Sequence, residues 1–271
     1  MENNSVNKLV KRPTIAAVLI SKNAASVLDD CLESVAWVDE IIILDNGSDD
    51  ESLEIAQKYN AKVIVETQWH GFGPQRQLAQ SHTSADWLFW IDTDERVSDD
   101  LKHSLETLLT SEDLDPQKAY SVPRISDFFG RLMRHSGWYP DKVVRFHHRL
   151  SYQYNDVQVH EKLDVANANV EGLTGDLIHL TSEDFCDYFS KSARYAENWG
   201  RERAEKGKTI SIAGIVLKML AAFIRVYVVR AGFLDGKHGL LLSIQTSHYV
   251  FNKYFSLWVY SKGYRTLPQK K

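Results

Sequence analysis

Two cysteines, Cys31 and Cys186, are all that the 271 residues contain. That is too few for a disulfide framework, so the chain is expected in a reducing compartment. The opening stretch MENNSVNKLVKRPT lacks the apolar run that a secretory signal needs. Residues 1–13 are therefore expected to be a flexible N-terminal segment of a cytoplasmic protein. No internal repeat and no low-complexity tract is present, which excludes a repeat architecture. Acidic residues are nearly missing from one end: from Lys206 to Lys271 the single acid is Asp235, against 11 Lys and Arg. The net charge of −4 thus divides into −14 before that point and +10 from it on. An acidic body with a basic end implies that the end meets something anionic, phospholipid or nucleic acid.

What is present is a chain with 44% hydrophobic and 25% charged residues, long enough for one large domain or a domain with an extension. TIAAVLIS (14–21) reads as a strand ending at Lys22 and Asn23. SVLDDCLESVAWV follows as a helix with Leu28, Cys31, Leu32 and Val35 on one face. DEIIILDNGSDD is a second strand running into acids and a glycine turn, and ESLEIAQKYN a helix. AKVIVET is a third strand, PQRQLAQSHT another helix and ADWLFWID a fourth strand. The alternation predicts a parallel sheet with helices on both faces, in which ligands sit beyond the carboxyl ends of strands. Asn23, Asp45 and Asp92 all fall at such ends.

After Pro116 the pattern loosens into shorter strands, YSVPRI, KVVRFHH and SYQYNDVQVHEKLDV, and from Leu177 the chain is expected to be helical. ISIAGIVLKMLAAFIRVYVV (210–229) is long enough to span a membrane, but Lys218 and Arg225 would each cost about 2.5–3.5 kcal/mol near the bilayer centre. With Ser211 they recur every seven residues as one polar stripe, so the expectation is a helix lying in the interface, apolar face down. GLLLSIQTSHYVFNKYFSLWVY adds Tyr, Phe and Trp, which favour the headgroup level. A helical subdomain packed on the body or on another subunit fits the same pattern. The long apolar and aromatic runs argue against nucleic acid as the partner. The tail LPQKK is expected to be disordered.

WLFWIDTDERV (87–97) carries Asp92 and Asp94 one residue apart at the end of an apolar run, with Glu95 next. Acids also open helices, and SDDLKHSLETLL is a candidate for that helix. The chemical reading is that Asp92 and Asp94 suit Mg²⁺ or Mn²⁺, hard cations that take carboxylate oxygens and share their shell with phosphates. Such a cation stabilises a leaving diphosphate. Asp45, with Asn46, Gly47 and Ser48, stands where the second strand meets its loop. Its carboxylate accepts from a base N–H or ribose hydroxyl, or else the stretch is an N-cap for the next helix, where Ser48 and Asp49 would serve. Aspartyl phosphatases carry Asp-x-Asp after their first strand with Thr or Val two positions on; here Arg96 fills that place, after the fourth. Nucleotidyltransferases open with a glycine-rich basic loop where this chain has SKNAAS. A zinc-protease motif beginning at His160 and Glu161 would need histidine at position 164, which is Asp164.

The order VLISKN, IIILDNGSDD, GFGPQRQLA, WLFWIDTDERV and VQVHEKL resembles the large inverting family 2 glycosyltransferases, which have the GT-A fold. HGFGPQRQLA, GWYPDKVVRF, VHEKL and the basic amphipathic end are similar to the bacterial WaaE/KdtX-like lipopolysaccharide core glycosyltransferases. The likeness runs from about Pro13 to Tyr260. It implies an α/β, GT-A (Rossmann-like, mostly parallel sheet flanked by helices) domain at 14–176, with a C-terminal amphipathic helical extension at 177–271 that associates with membrane. It implies that Asn23 and Asp45 contact the uridine, that Arg76 lies near the diphosphate or donor sugar, and that Asp94 is the main metal ligand with Asp92 toward the ribose or sugar. Glu161 would be the general base, a role worth about 10²–10⁴-fold, or else a solvated strand residue. His179 either completes the metal shell or is a core histidine. Trp138, Tyr139, Asp141 and His160 would form the acceptor side. Two positions depart from the family: Ala24 follows Asn23 where relatives often carry an acid, and Gln77 follows Arg76 where many carry Asn.

The expected function is transfer of a hexose, glucose in the first instance, from a UDP-sugar to a lipid-linked oligosaccharide, with Mg²⁺ or Mn²⁺ as cofactor. The expected acceptor is inner-core heptose of lipopolysaccharide or lipooligosaccharide. The enzyme would be cytoplasmic and peripheral on the anionic inner face of the cytoplasmic membrane, with no nucleic-acid partner. The alternatives are a family 2 transferase for a polyprenyl-linked glycan or a peptide, and a non-catalytic nucleotide- or lipid-binding scaffold.

Overall fold

The computed structural model describes residues 12–156, 163, 165, 169–181 and 184–263. The N-terminal segment up to residue 11, the LPQKK tail, and both His160 and Glu161 lie outside the described residues. The chain forms two compact units, one of residues 1–124 and 141–179, the other of 125–140 and 180–271.

The first unit opens as β1 (Ile15–Ser21), α1 (Ala25–Val35), β2 (Glu40–Asp45), α2 (Ser52–Lys58), β3 (Lys62–Val65), α3 (Phe72–Ser81) and β4 (Trp87–Trp90). The four strands are parallel in the order β3-β2-β1-β4. Successive residues of a strand point to opposite faces, so each strand feeds two cores. Ile15, Ala17 and Leu19 of β1 pack with Leu28 and Leu32 of α1, while Ala16 and Val18 pack with Ala79 of α3. Burial on both faces is why these strands read as unbroken apolar runs. α1 buries Leu28, Cys31, Leu32 and Val35, the predicted face.

The sheet then changes character. β5 (Glu95–Val97), α4 (Asp99–Leu109), β6 (Lys118–Asp127), β7 (Asp141–His148), β8 (Asn169–Gly172) and β9 (Leu177–Leu180) follow. β7 pairs antiparallel with β4 and β6, β5 pairs antiparallel with β9, and β8 runs parallel to β6. The sheet is therefore mixed, a parallel half continued by antiparallel strands. Leu177, expected to begin the helical region, instead begins a strand. LIHL pairs with β5 across the sheet, a partnership no local period reveals, and helix starts only at Phe185.

The second unit holds α5 (Phe185–Glu205), α6 (Ile212–Ile224) and α7 (Gly236–Ser261). α6 runs on into a π-helical turn at Arg225–Val229, and a 3₁₀ turn at Gly232–Asp235 precedes α7. Ser211 is the N-cap of α6, its Oγ accepting from Gly214 N at 3.1 Å, so it closes the helix end and is not part of a polar stripe. The 18 residues Ile212–Val229 have a mean hydropathy of 2.1, long and apolar enough by composition to cross a membrane, yet only 11% of them are buried. Leu217 is 66% and Val229 75% exposed. Asp235 is buried. Its Oδ1 accepts from Arg134 N at 3.3 Å and its Oδ2 from His135 N at 3.1 Å and Ser136 Oγ at 3.0 Å, while His135 Nδ1 lies 3.1 Å from Oδ1. The turn that delivers Asp235 is tight: a Cβ on Gly239 would lie 1.8 Å from Gly232 O, so no larger residue fits there.

Candidate functional site

The carboxyl ends of the parallel strands carry two loops that are stitched together. Asn23, past β1, holds a φ of 50°, in the left-handed region that Asn tolerates. Its N–H donates to Ser48 Oγ at 2.9 Å, and its Oδ1 accepts from Asp49 N at 3.0 Å. Asp45, the last residue of β2, is buried. Its Oδ1 accepts from Gly47 N at 2.9 Å and Ser48 N at 2.8 Å, and its Oδ2 from Ser48 Oγ at 2.5 Å. Gly47, at φ +80°, makes that close turn possible. Asp45 does not reach the next helix; Asp50 instead accepts from Ser52 N at 3.1 Å and Ala25 N at 3.0 Å, the first residues of α2 and α1.

Beyond β4 the acids sort into two groups. Asp99 and Asp100 lie in the first turn of α4, whose N-cap Ser98 accepts from Leu101 N at 3.3 Å. The helix start is thus separate from Asp92, Asp94 and Glu95. Asp92 Oδ1 accepts from Arg76 Nη2 at 3.0 Å and its Oδ2 from Arg145 Nη2 at 2.6 Å. The same Arg145 nitrogen meets Glu95 Oε1 at 2.6 Å and Oε2 at 2.8 Å, while Glu95 Oε2 also accepts from Asp92 N at 3.0 Å. Glu95 is fully buried and both arginine side chains are 7% exposed. Burial pushes the Asp92 carboxyl up, but the opposing fields of Arg145 and then Arg76 outweigh it and hold the group below the usual carboxylate range. Burial likewise works against the Arg145 cation, and Asp92 and Glu95 overcome it.

The Arg76 guanidinium is gripped by two rings, Trp90 and Tyr154, each centred 5.0 Å from its Cζ. Trp90 is itself oriented by its Nε1, which donates to His147 Nε2 at 3.1 Å. Burial lowers the His147 pKa to about 4, which keeps the imidazole neutral and that nitrogen an acceptor. Arg124 bridges outward, from Glu95 Oε1 at 3.4 Å to Asp141 Oδ2 at 2.5 Å.

Asp94 stands apart from this network. Its side chain is 44% exposed, and His179 Nε2 lies 3.5 Å from its Oδ2, because the antiparallel register of β5 and β9 sets Glu95 opposite His179. Among the described residues no three His, Cys, Asp or Glu converge as a closed metal cage. One exposed carboxylate oxygen and one imidazole suit a divalent ion that takes its remaining ligands from phosphate and water. Asp92 does not suit that role, since both its oxygens are engaged by guanidinium groups.

Asn23, Asp45, Arg76, Asp92, Asp94 and His179 all belong to the first unit. So does Asp141, paired with Arg124; Trp138 and Tyr139 belong to the second. There Trp138 packs edge-on to Phe128 with centroids 5.7 Å apart, and Tyr139 lies under the Arg134 guanidinium at 5.6 Å. Glu161 and His160 lie outside the described residues. Sequence reasoning missed Arg145, Glu95 and Arg124. The signal was available for Arg145: a charge in the middle of the apolar strand VVRF has to find a buried partner.

The family model described as Glycosyl transferase family 2 matches residues 16–159. An uncharacterized glycosyltransferase of Rickettsia prowazekii is 26% identical over 85% of this chain and 82% of its own length. A lipopolysaccharide core biosynthesis glycosyltransferase, LpsC of Rhizobium meliloti, is 25% identical over 91% of this chain and 95% of its own. Among solved structures, Staphylococcus aureus TarS in complex with UDP-GlcNAc aligns over 93% of this chain and 91% of that one, at 14% identity and a TM-score of 0.47.

Proposed function

The chain belongs to glycosyl transferase family 2 and is a glycosyltransferase, and we propose that it transfers a hexose, glucose, from a UDP-sugar to a lipid-linked oligosaccharide of lipopolysaccharide type, inverting the anomeric centre. The observation that carries this is the half-exposed Asp94 beside His179, two residues past Asp92, which holds two buried guanidinium groups beyond the carboxyl end of β4. Asn23 and Asp45 take the uridine; Asp45 has already spent three of its roughly four acceptor sites on its own loop. Asp94 and His179 would hold a divalent cation, which when bound neutralises charge on the departing diphosphate. Arg76 lies toward the diphosphate or donor sugar, held in position by Asp92, while Arg145 is spent on pairing Asp92 and Glu95. The acceptor hydroxyl gives its proton to Glu161 and its oxygen bonds to the anomeric carbon. The bond from that carbon to the diphosphate oxygen breaks, and UDP leaves with the electron pair.

A lipid-linked acceptor is supported by the second unit. Its exposed apolar residues include Ile212, Leu220, Ile224 and Phe233. Because Asp235 is buried, the described residues from Lys206 onward present cations and no exposed acid. An apolar face with a purely cationic fringe suits a peripheral position on the anionic inner face of the cytoplasmic membrane. The name of the Rhizobium meliloti relative supports a lipopolysaccharide core saccharide as acceptor.

The test is UDP release from a panel of UDP-sugars with Mn²⁺, Mg²⁺ or EDTA, for wild type and Asp94→Ala. One donor should give metal-dependent release that the substitution abolishes. No release from any donor, with or without core oligosaccharide, together with no UDP binding by calorimetry, would overturn the reading.

A further inference from the structure

The second unit contains a cavity of about 260 Å³ between α5 and α7. α5 lines it with Tyr188, Lys191, Ser192 and Tyr195, and α7 with Leu242, Gln245, Thr246 and Tyr249. Each set is spaced i, i+3, i+4, i+7, the stripe a helix ordinarily presents to a packing partner and fills with apolar residues. The two helices do meet at either end of the stretch. At one end Tyr188 packs against the cluster of Phe128, Met133 and Leu242. At the other, Gly200 lies so near α7 that a Cβ there would sit 2.4 Å from Ser256 Oγ. Between these points Trp199 of α5 packs edge-on to Tyr254 of α7 with centroids 5.0 Å apart, while the cavity itself is bordered by polar and aromatic side chains. Among the described residues, Lys191, Ser192, Gln245 and Thr246 have no hydrogen-bond or ion-pair partner. Lys191 is exposed and Ser192, Gln245 and Thr246 are half-buried, so these polar groups are solvated and stand open to a ligand.

The lining defines the occupant's chemistry. Among the described residues four rings border the cavity, Trp138 with the three tyrosines, and offer flat apolar faces. Lys191 supplies a cation, the hydroxyls and the Gln245 amide supply donors, and among the described residues no carboxylate lines it. The volume falls just under the roughly 300–1,000 Å³ of sites for drug-sized ligands, which limits the occupant to about one ring. We propose that this cavity binds a single sugar ring bearing a phosphate. The ring lies on the aromatic faces, its hydroxyls meet Ser192, Thr246 and Gln245, and the phosphate pairs with Lys191. The choice of a sugar rests on the saccharide acceptor proposed above; the requirement for an anionic group rests on Lys191 alone. The phosphorylated ring is either a free sugar phosphate or a unit of the acceptor glycan.

The experiment titrates wild type and Lys191→Met with glucose 6-phosphate, glucose and inorganic phosphate, read by calorimetry and tryptophan fluorescence. A second arm uses deacylated lipopolysaccharide core oligosaccharide before and after phosphatase treatment. Saturable binding of glucose 6-phosphate or of the phosphorylated oligosaccharide, weakened about tenfold or more by Lys191→Met, is expected. The tighter of the two identifies the source. Gln245→Leu, which fills the seam with apolar volume, should weaken the same ligand while preserving the helical circular dichroism. Absence of binding in wild type, equal binding by Lys191→Met, or equal affinity for the unphosphorylated sugar overturns the proposal. UDP release is measured on the same proteins. Sugar-phosphate binding without UDP release from any donor would leave the cavity standing and remove the transferase reading, and the reverse would do the opposite.

Discussion

Replacing Arg145 by Met tests the charge network beneath the site. Arg145 Nη2 sits within 2.6–2.8 Å of both Glu95 oxygens and 2.6 Å from Asp92 Oδ2. Glu95 is wholly buried, so removing its cation leaves a carboxylate with no access to water. Breaking a buried pair in this way costs about 3–5 kcal/mol. Two partial partners remain, Arg124 at 3.4 Å from Glu95 and Arg76 at 3.0 Å from Asp92, which places the expected loss near the lower end, about 3 kcal/mol. Met is close to the arginine stem in shape, so little cavity energy is added. Urea denaturation followed by tryptophan fluorescence reads the change, since Trp87 and Trp90 are buried in the sheet beside the network. At slopes of about 1–3 kcal/mol per molar urea, the midpoint should fall by about 1–3 M. Glu95→Gln combined with Arg145→Met removes the stranded charge and should recover at least about 1 kcal/mol relative to the two single losses added together. A loss under about 1 kcal/mol for Arg145→Met, or strict additivity in the double variant, would refute the reasoning.

Three further outcomes are expected. His147 titrates near 4 folded and about 6.5 unfolded, so its depressed pKa costs nothing above pH 6.5 and destabilises the fold as pH falls through that window, by about 2 kcal/mol at pH 5; urea midpoints at pH 7.5 and 5 should show this loss in wild type and a smaller one in His147→Gln. Ser98→Ala should cost about 1 kcal/mol by removing the α4 cap, with UDP release intact; a large activity loss without a midpoint shift would show that the helix start and the carboxylate site are not separate. Leu217→Asp, at a 66% exposed position, should weaken co-sedimentation with anionic vesicles about tenfold or more while sparing UDP release, and undiminished sedimentation would remove α6 from the proposed membrane face.

Much of the first unit was legible because its code is local. α1 buries the four residues that its 3.6-residue period selects, and β1, β2 and β4 are apolar on both sides because both faces of the sheet are covered. The placement of Asn23, Asp45 and Asp92 at strand ends followed from the same periods. The acids of WLFWIDTDERVSDD were ambiguous as a string, since capping acids and site acids are the same residue types. Only the structure separates Asp99 and Asp100, in a helix turn behind Ser98, from Asp94 at the surface.

The sequence by itself determined the alternating α/β architecture, the strand ends where the site stands and the basic, acid-poor character of the C-terminal region. Each of these rests on relations between residues a few positions apart or on composition. Tertiary structure alone decided that Asp92 is tied to Arg145, 53 residues away, through the pairing of β4 with β7. It also decided that LIHL is a strand bringing His179 to Asp94. Asp235, the lone acid of the basic end, is satisfied by residues 134–136, about a hundred positions earlier. A cavity remains between α5 and α7, bordered by polar and aromatic side chains from both helices. These are partnerships across sheet registers and helix seams. Their energy depends on which distant group arrives to pair a buried charge, and no local period encodes that arrival.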